Sequence, residues 1–293
     1  MNETGNSAKQ LNIALLQQQL QTLSFAIGDR LVYVPTVGST NILAMQLARA
    51  GAKEGLLVLT DSQSAGKGRQ GRRWVDMYGC NILSSLVLRP LFPLYLLVMI
   101  ASLAVVEAIQ EICREHGTTA TIKWPNDVLI GNHKVAGILV ETSHDRTGDL
   151  IAIVGIGVNV KSSFAFEHTA TPEMVALTTM ATTLETAYGQ QISRELFLVA
   201  LLRHIETYYL ALQQEARTSL MTHSVGRGPT SRLVREKWRS YLSTLDRSIQ
   251  VRQGDTVLEG IAEDVSETGE LLLRLHSGER ISITWGDIGY PTE

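Results

Sequence analysis

The central stretch of the chain, residues 121–159, has the sequence TIKWPNDVLIGNHKVAGILVETSHDRTGDLIAIVGIGVN. Runs rich in valine, isoleucine and leucine alternate in it with short turns that contain proline, glycine or asparagine. Such runs are typical of β-strands, because β-branched side chains fit a pleated surface and turn residues end each strand. The stretch therefore predicts four strands, at Thr121–Trp124, Val128–Ile130, Val135–Ser143 and Leu150–Asn159.

Upstream of this stretch, predicted strands and helices alternate. A Ser/Thr cap begins a helix at Ser39–Ala50, and Gly51 is suited to end it. A long apolar helix is predicted at Leu94–His116, where Gly117 is the expected stop. The predicted strands are Arg30–Thr36, Gly55–Asp61 and Asn81–Arg89. The pattern predicts an α/β protein.

The two ends of the chain differ from this central part. Leu11–Leu23 has apolar residues at helical spacing, so residues 1–30 are predicted to form a short N-terminal helical segment. After a helix at Ser193–Gln214 come a loop at Thr218–Thr230 and a helix at Leu233–Tyr241. Beyond these, turns at hairpin distances separate short strands, which predicts a barrel-like β domain of about 50 residues. Its strands are Ile249–Arg252, Thr256–Asp264, Leu271–Leu275 and Arg280–Thr284.

The composition argues against several classes of protein. The chain has 293 residues, 44% of them hydrophobic and 19% charged, which is ordinary for a globular protein with a core. Its formal net charge of -3 gives no general affinity for polyanions such as nucleic acids. Cys80 and Cys113 lack the spacing of a disulfide framework or a metal site, and no secretory signal is visible, which predicts the cytoplasm. Ser102 and Glu107 interrupt the apolar run Leu91–Ile112, so we expect a buried helix and no membrane span.

Gln63–Trp74, with the sequence QSAGKGRQGRRW, is the most unusual segment of the chain. Glycines at 66, 68 and 71 alternate with cations at 67, 69, 72 and 73, and no acidic residue offsets them. Glycine lets the backbone approach an anion closely, and the cations can form charge-assisted bonds with phosphate or carboxylate. The segment is not a Walker loop, because Gly66-Lys67 is not followed by serine or threonine. By itself it predicts an anion site, with a solvated basic loop and an RNA-binding patch as the alternatives.

Two further segments place polar side chains beside the predicted strands. Lys123, Asn126 and Asp127 flank a proline turn, whose rigidity would present them in a fixed geometry; a plain hairpin turn is the alternative. Lys134 begins an apolar strand, where it is either a site group beside a carboxylate such as Asp127 or an exposed strand-end lysine. Gly155–Val160 lacks the third glycine of a dinucleotide fingerprint, and its paired glycines indicate a chain or ligand packed against the strand.

In this order, the segments resemble those of the biotin protein ligases, the holocarboxylase synthetase family. The resemblance runs from about Thr36 to the C-terminus. It rests on Gly38–Asn41, Gly66–Arg73, Lys123–Asp127, Lys134–Glu141, Gly155–Val160, Ala181–Leu184 and the C-terminal β domain. It implies a catalytic domain at residues 31–244, with a mixed sheet like that of class II aminoacyl-tRNA synthetases and lipoate ligases, and an SH3-like β-barrel domain at residues 245–293.

The resemblance also implies ligands and the residues that bind them. Biotin and ATP would be the substrates, and Mg²⁺ would arrive transiently with ATP at a metal site that the sequence does not specify. The implied catalytic residues are Arg69, Lys134, Asp127 and Lys123. Biotin would contact Ser39, Thr40, Asn41, Gln63, Lys67, Gly68, Arg69, Lys134 and Gly137. The nucleotide would contact Arg69, Arg72, Trp74, Asn126 and Asn159.

The implied reaction is ligation of biotin, through biotinyl-5′-AMP, to one lysine of a carrier protein or domain of acetyl-CoA carboxylase or another biotin-dependent carboxylase. Lys67 stands where many members have arginine, which keeps the charge but loses bidentate contact. The DNA-binding domain of repressor-type members is absent before the catalytic segments, so we expect no nucleic-acid partner. A lipoate or octanoate ligase and a noncatalytic nucleic-acid-binding regulator are the alternatives. The sequence leaves open whether the protein is a monomer or a homodimer, and whether Asp127 is a base or only an orienting group.

Overall fold

The structure is a computed structural model that describes residues 10–26, 28–113, 119–161, 180–219 and 225–291. Its α-helices are α1 Ile13–Gln19, α2 Thr40–Arg49, α3 Tyr95–Ile112, α4 Leu184–Tyr188, α5 Arg194–Ser219 and α6 Pro229–Ser240. Its strands are β1 Leu31–Val37, β2 Leu57–Gln63, β3 Asn81–Leu88, β4 Ala120–Lys123, β5 Asp127–Ile130, β6 His133–His144, β7 Leu150–Asn159, β8 Ser248–Gln253, β9 Thr256–Val265, β10 Leu271–Leu275, β11 Arg280–Ile283 and β12 Asp287–Gly289.

A seven-stranded sheet with the order β1-β2-β3-β7-β6-β5-β4 forms the larger part of the protein. β1 and β2 are parallel, and every other neighbouring pair is antiparallel. The parallel pair requires a crossover, which α2 provides. The sheet is therefore mixed, as the family resemblance implied, and the four strands predicted from residues 121–159 are present as β4 to β7.

The sheet is covered on both faces, since successive side chains of a strand point to opposite sides. Along β2, Val58 belongs to a small cluster with Ala44 and Ala48 of α2. Leu57 and Leu59 belong to the main core, which contains most of α3. The covered faces explain why the strands are apolar runs without strict alternation.

α3 is the long apolar helix of the main core. By length and composition it is the one helix of the described ranges that could cross a membrane, but 67% of it is buried inside the protein. Ser102, a polar residue in the middle of this helix, donates its hydroxyl proton to the Val98 carbonyl at 2.8 Å, so the buried hydroxyl is satisfied. This is the buried helix that the interrupted apolar run predicted.

Several helix ends predicted from the sequence are wrong. α3 ends at Ile112, before the predicted end at His116, which lies with Gly117 outside the described residues. α5 continues beyond the predicted Gln214 to Ser219, and α6 begins at Pro229 instead of Leu233. Both ends of the segment predicted as a loop, residues 218–230, are therefore helical.

A contact between two helices explains the early start of α6. Glu215 of α5 accepts the backbone N–H of Thr230 at 2.6 Å and that of Ser231 at 3.2 Å. Its carboxylate thus caps the first turn of α6, where Pro229 already has the backbone angle that a helix requires. A cap from a residue 15 positions away in the chain is not visible in local sequence.

The C-terminal part is a separate five-stranded sheet with the order β11-β10-β9-β8-β12. All of its pairs are antiparallel, which confirms the predicted small β domain. Trp124, at the proline turn of the larger part, contacts this C-terminal part through two hydrogen bonds. Its indole N–H donates to the Gly269 carbonyl at 2.9 Å, and its backbone N–H donates to the Thr244 hydroxyl at 3.0 Å.

A charged cluster joins α3, α5 and α6 away from the sheet. His204 of α5 lies 3.1 Å from Glu107 and 3.0 Å from Glu111, both on α3. The hydrogen bond to Glu107 raises the pKa of His204 and outweighs the opposing effect of burial. Burial would raise the pKa of Glu107, but hydrogen bonds from His204, Lys237 and Tyr208 outweigh it and lower the pKa to about 2.

We expect the stabilisation that His204 contributes to disappear as the pH rises through its folded-state pKa. A histidine whose pKa is raised by folding stabilises the protein fully below its unfolded-state pKa of about 6.5 and loses that contribution above the folded-state pKa. The free energies of unfolding of the parent and of His204→Gln should therefore converge as the pH rises from about 6.5 through the raised folded-state pKa of His204. Urea unfolding at several pH values measures this, and a difference that is independent of pH would contradict it.

Candidate active site

The N-terminus of α2, the end of β2 and the middle of β3 form a polar pocket. Gln63 Oε1 accepts the backbone N–H of Thr40 at 2.8 Å. The hydroxyl oxygens of Thr40 and Ser85 lie 2.8 Å apart. Ser39 is the N-cap residue of α2, yet its side chain makes no capping hydrogen bond and borders the pocket. Hydroxyl and amide groups converge here on one small space, which suits a ligand with both donors and acceptors.

The loop between β2 and β3 contains the alternating glycines and cations. A Cβ at Gly66 would lie 2.7 Å from the carbonyl oxygen of Trp74, so only glycine fits there. Gly66 accepts the N–H of Trp74 at 2.9 Å, and Gly68 donates to the carbonyl of Arg72 at 2.7 Å, so the loop folds back on itself. Together with Glu141 and its neighbours on β6, it borders an open cleft of about 700 Å³.

The loop meets the proline turn and the start of β6 through two contacts. Arg69 Nη1 donates to Asn126 Oδ1 at 2.8 Å. Lys134 Nζ lies 2.7 Å from Asp127 Oδ1, so the structure places together the two residues that the sequence suggested as a pair. Burial lowers the pKa of Arg69, which means that the protein does not fully compensate this charge. An anion bound between Arg69 and Lys134 would supply the missing compensation.

Two other predicted site cations face the C-terminal sheet. Arg72 is exposed and forms an ion pair with Asp287 of β12 at 2.5 Å. Lys123 Nζ lies 5.3 Å from the centre of the Tyr290 ring, and burial lowers its pKa. The C-terminal part therefore contributes an acidic side chain, Asp287, beside Arg72 of the loop and an aromatic side chain, Tyr290, beside Lys123.

Trp74 lies against the sheet at the polar pocket, and its predicted contact with a nucleotide stays a prediction. Cβ atoms built at Gly157 and Gly137 would lie 2.6 Å and 3.1 Å from its indole ring. The indole Nε1 is buried without a hydrogen-bond partner. The space left in the pocket is about 30 Å³, room for about one or two water molecules. A larger ligand has to displace the indole.

Several predicted contact residues take part in bonds within the protein. Asn41 is buried, and its amide bonds to Glu141 at 2.8 Å. Asn159 donates to the Thr182 carbonyl at 3.2 Å. Lys67 lies 3.6 Å from Glu141, in a half-exposed ion pair. Their predicted roles toward a ligand stay predictions.

Sequence reasoning missed four residues of this region. Ser85 is fully buried in β3, and the consecutive serines in an otherwise apolar run were a signal that could have identified it. Asp76 accepts the backbone N–H of Gln63 at 3.2 Å, and burial raises its pKa. Glu141 and Asp287 give no comparable signal, because Glu141 is an ordinary acidic residue of a predicted strand and Asp287 lies beyond the last predicted strand, at the start of β12.

Two sequence families match the chain. Residues 33–159 match the Biotin/lipoate A/B protein ligase family, and residues 244–288 match the Biotin protein ligase C terminal domain. The two matches correspond to the two sheets of the structure.

Individual relatives cover most of the chain. The bifunctional ligase/repressor BirA of Bacillus spizizenii is 34% identical over 252 residues, 86% of this chain and 71% of that protein. The biotin--[acetyl-CoA-carboxylase] ligase of Paracoccus denitrificans is 33% identical over 249 residues, 83% of this chain and 93% of that protein. The structure of the biotin protein ligase from Aquifex aeolicus in complex with biotin and ATP aligns with a TM-score of 0.66 and 26% identity, and the alignment covers 88% of this chain and 97% of that one. From these matches and the two-sheet fold, the chain belongs to the biotin protein ligase family.

Proposed function

We propose that the protein activates biotin with ATP as biotinyl-5′-AMP and transfers the biotinyl group to a lysine of a carboxylase carrier protein. The observation that carries this proposal is the position of the polar pocket at Ser39, Thr40 and Gln63 beside the cleft with Lys67 and Arg69. A neutral head group with donors and acceptors matches the polar groups of the pocket once the Trp74 indole moves aside, and a carboxylate and phosphates match the cations. The family membership gives the same substrates.

Adenylation brings two anions together, so cations must offset their repulsion. A biotin carboxylate oxygen forms a bond to the α-phosphorus of ATP, and the bond from that phosphorus to pyrophosphate breaks. Arg69 borders the cleft, Lys134 lies beside Asp127 and Trp74, and the two cations would stabilise the charge that develops on the phosphoryl oxygens. Asn126 holds Arg69 in place, because its own amide is fixed on the Ile138 carbonyl at 2.7 Å.

In the transfer step, the carrier lysine amine attacks the acyl carbon, a C–N bond forms, and AMP leaves with the former carboxylate oxygen. The amine must lose a proton, and Asp127 is the carboxylate beside Lys134 that can orient the amine or accept the proton. No covalent nucleophile is required. Cys80 and Cys113 are buried, and burial raises their thiol pKa values, that of Cys113 to about 11.

We include Mg²⁺ in the proposal as an ion that enters with ATP. The described ranges contain no group of three or more metal-type side chains, and Mg²⁺ at ATP sites is held mainly by phosphate and water oxygens with one or two carboxylates. Asp127 is placed to supply one such carboxylate, and the ion would supply further positive charge at the phosphates. The free thiols of both cysteines support the cytoplasmic location that we propose.

The partner that we propose is the biotin carrier of acetyl-CoA carboxylase, because relatives are named for that substrate. The net charge of -3 supports a proposal without a nucleic-acid partner. A lipoate or octanoate ligase would be expected to have a long apolar channel, whereas this pocket ends in hydroxyl and amide groups. The match at residues 244–288 also favours biotin over lipoate.

Exchange of labelled pyrophosphate into ATP tests the proposal directly. We expect exchange that depends on biotin and Mg²⁺, and incorporation of one biotin per carrier domain when that domain is added. Lipoate and octanoate, supplied separately, are the controls. Exchange with lipoate and none with biotin would refute the assignment.

A further inference from the structure

We propose that Glu141 is a positioning residue for the biotin head pocket: it sets the direction of a hydrogen-bond chain that makes the Thr40 hydroxyl an acceptor toward the ligand. The inference rests on the proposed function and adds to it a residue that borders the cleft and acts on the head pocket through Asn41. The chain runs from Thr40 through Ser85 and Asn41 to Glu141.

Glu141 fixes the orientation of one amide. Its Oε2 accepts from Asn41 Nδ2 at 2.8 Å, and the Leu139 carbonyl lies 3.5 Å from the same nitrogen, the limit of a hydrogen bond. An ionised carboxylate can only accept, so the NH₂ end of Asn41 must face β6 and its oxygen must face β3. A Cβ at Gly155 would lie 2.2 Å from Asn41 Oδ1, so the glycine creates the space for this amide against the strand.

The fixed amide determines where two hydroxyl protons lie. Ser85 Oγ is 2.6 Å from Asn41 Oδ1 and 2.8 Å from Thr40 Oγ1. A hydroxyl has a single proton, and the amide oxygen cannot donate, so Ser85 donates to Asn41. The proton between the two hydroxyl oxygens then comes from Thr40, for which Ser85 Oγ at 2.8 Å is a nearer acceptor than Gln63 Oε1 at 3.1 Å. Ser85 is fully buried, and no water can change this arrangement from outside.

The position of the Thr40 proton determines which hydrogen bonds the pocket can form with a ligand. Because the proton of Thr40 is directed to Ser85, its oxygen offers lone pairs to the pocket and accepts from a ligand N–H. Gln63 Oε1 accepts the Thr40 backbone N–H at 2.8 Å, which leaves the NH₂ end of Gln63 to donate. The cyclic urea of biotin has N–H donors on either side of a carbonyl acceptor, and this arrangement matches both types of group.

Glu141 also contacts the loop, but this contact is weaker. Its Oε1 lies 3.6 Å from Lys67 Nζ, and the two side chains are 35% and 44% exposed. Ion pairs of this exposure contribute little, because solvent screens them and two flexible side chains must be ordered. The hydrogen bond to the buried Asn41 should therefore dominate the effect of Glu141 on biotin binding.

Two substitutions separate these contacts. In Glu141→Gln the side-chain carbonyl can still accept from Asn41, and only the ion pair is lost. In Glu141→Leu the hydrogen bond to Asn41 and the ion pair with Lys67 are both lost, and the Asn41 amide can rotate. We expect the KM for biotin in pyrophosphate exchange to rise about 10- to 100-fold in Glu141→Leu, the range of one charge-assisted hydrogen bond, and to stay within about threefold in Glu141→Gln. The KM for ATP should stay unchanged in both variants.

Glu259→Leu is the matched control, since Glu259 accepts a side-chain amide hydrogen bond from Gln250 at 2.7 Å on the exposed face of the C-terminal sheet. It should leave both KM values unchanged. Activity of the parent with biotin tests the proposed function separately. Given an active parent, an unchanged biotin KM in Glu141→Leu overturns the inference, as does an equal rise in the KM for ATP or a Glu141→Gln variant as impaired as Glu141→Leu.

Discussion

Lys134→Met should slow biotin-dependent pyrophosphate exchange by about 10²- to 10³-fold, the usual cost of removing one donor aimed at charge that develops in a transition state. Methionine retains most of the length and packing of lysine but has no charge. Lys134 Nζ lies 2.7 Å from Asp127 and 5.5 Å from the centre of the ring of Trp74, a residue that borders the pocket. Its loss also leaves the Asp127 carboxylate uncompensated where phosphates must bind, which acts in the same direction.

The effect should appear in kcat much more than in the KM for biotin, because the charge that Lys134 stabilises is largest in the transition state. Lys53→Met is the control, since it removes the same charge from an exposed position before the start of β2, and the site lies at the other end of that strand, at Gln63. Single-turnover formation of biotinyl-5′-AMP measures the step directly. A rate for Lys134→Met within about threefold of the parent would exclude the proposed role.

The strands of the larger sheet could be predicted because their signals are local. β-branched runs and short turns mark β4 to β7, and the same reasoning identified four of the five strands of the C-terminal sheet but missed the three-residue β12. The start of α6 could not be predicted, because its cap is Glu215, a residue of another helix. Local patterns do not contain contacts of that kind, and helix ends depend on them more than helix centres do.

In the candidate site, too, the features that depend on local sequence could be predicted and the long-range contacts could not. The loop was identifiable because four cations and three glycines in eight residues are unusual, whereas the partner of each cation was not. Lys67, Arg69 and Arg72 are close in sequence, yet they contact Glu141, Asn126 and Asp287 respectively. These partners lie on three different strands or turns and in both domains, so only the folded sheet order brings them to one loop.

Arg194→Met should reduce the free energy of unfolding by about 3–5 kcal/mol, the cost of breaking a buried ion pair on one side. Arg194 Nη1 lies 2.7 Å from Asp61 Oδ1, with side-chain exposures of 2% and 0%. The same carboxylate accepts the Tyr33 hydroxyl and the backbone N–H of Leu11. Urea unfolding measures the loss, and Arg203→Met, which removes an exposed pair with Glu111, should cost only about 0–1 kcal/mol.

The size of this effect should come from the charge left behind and not from the attraction that is lost. With Arg194 replaced, the Asp61 carboxylate is left fully buried without its cation, and two neutral donors do not replace a cation. Asp61→Asn in the Arg194→Met background removes that charge and keeps an oxygen that accepts from Tyr33. The double variant should therefore be more stable than Arg194→Met alone, by about 1–3 kcal/mol. If the double variant is instead no more stable than Arg194→Met alone, the loss comes from the direct attraction, and the N-terminal segment, β1, β2 and α5 meet at an ion pair that is itself a source of stability.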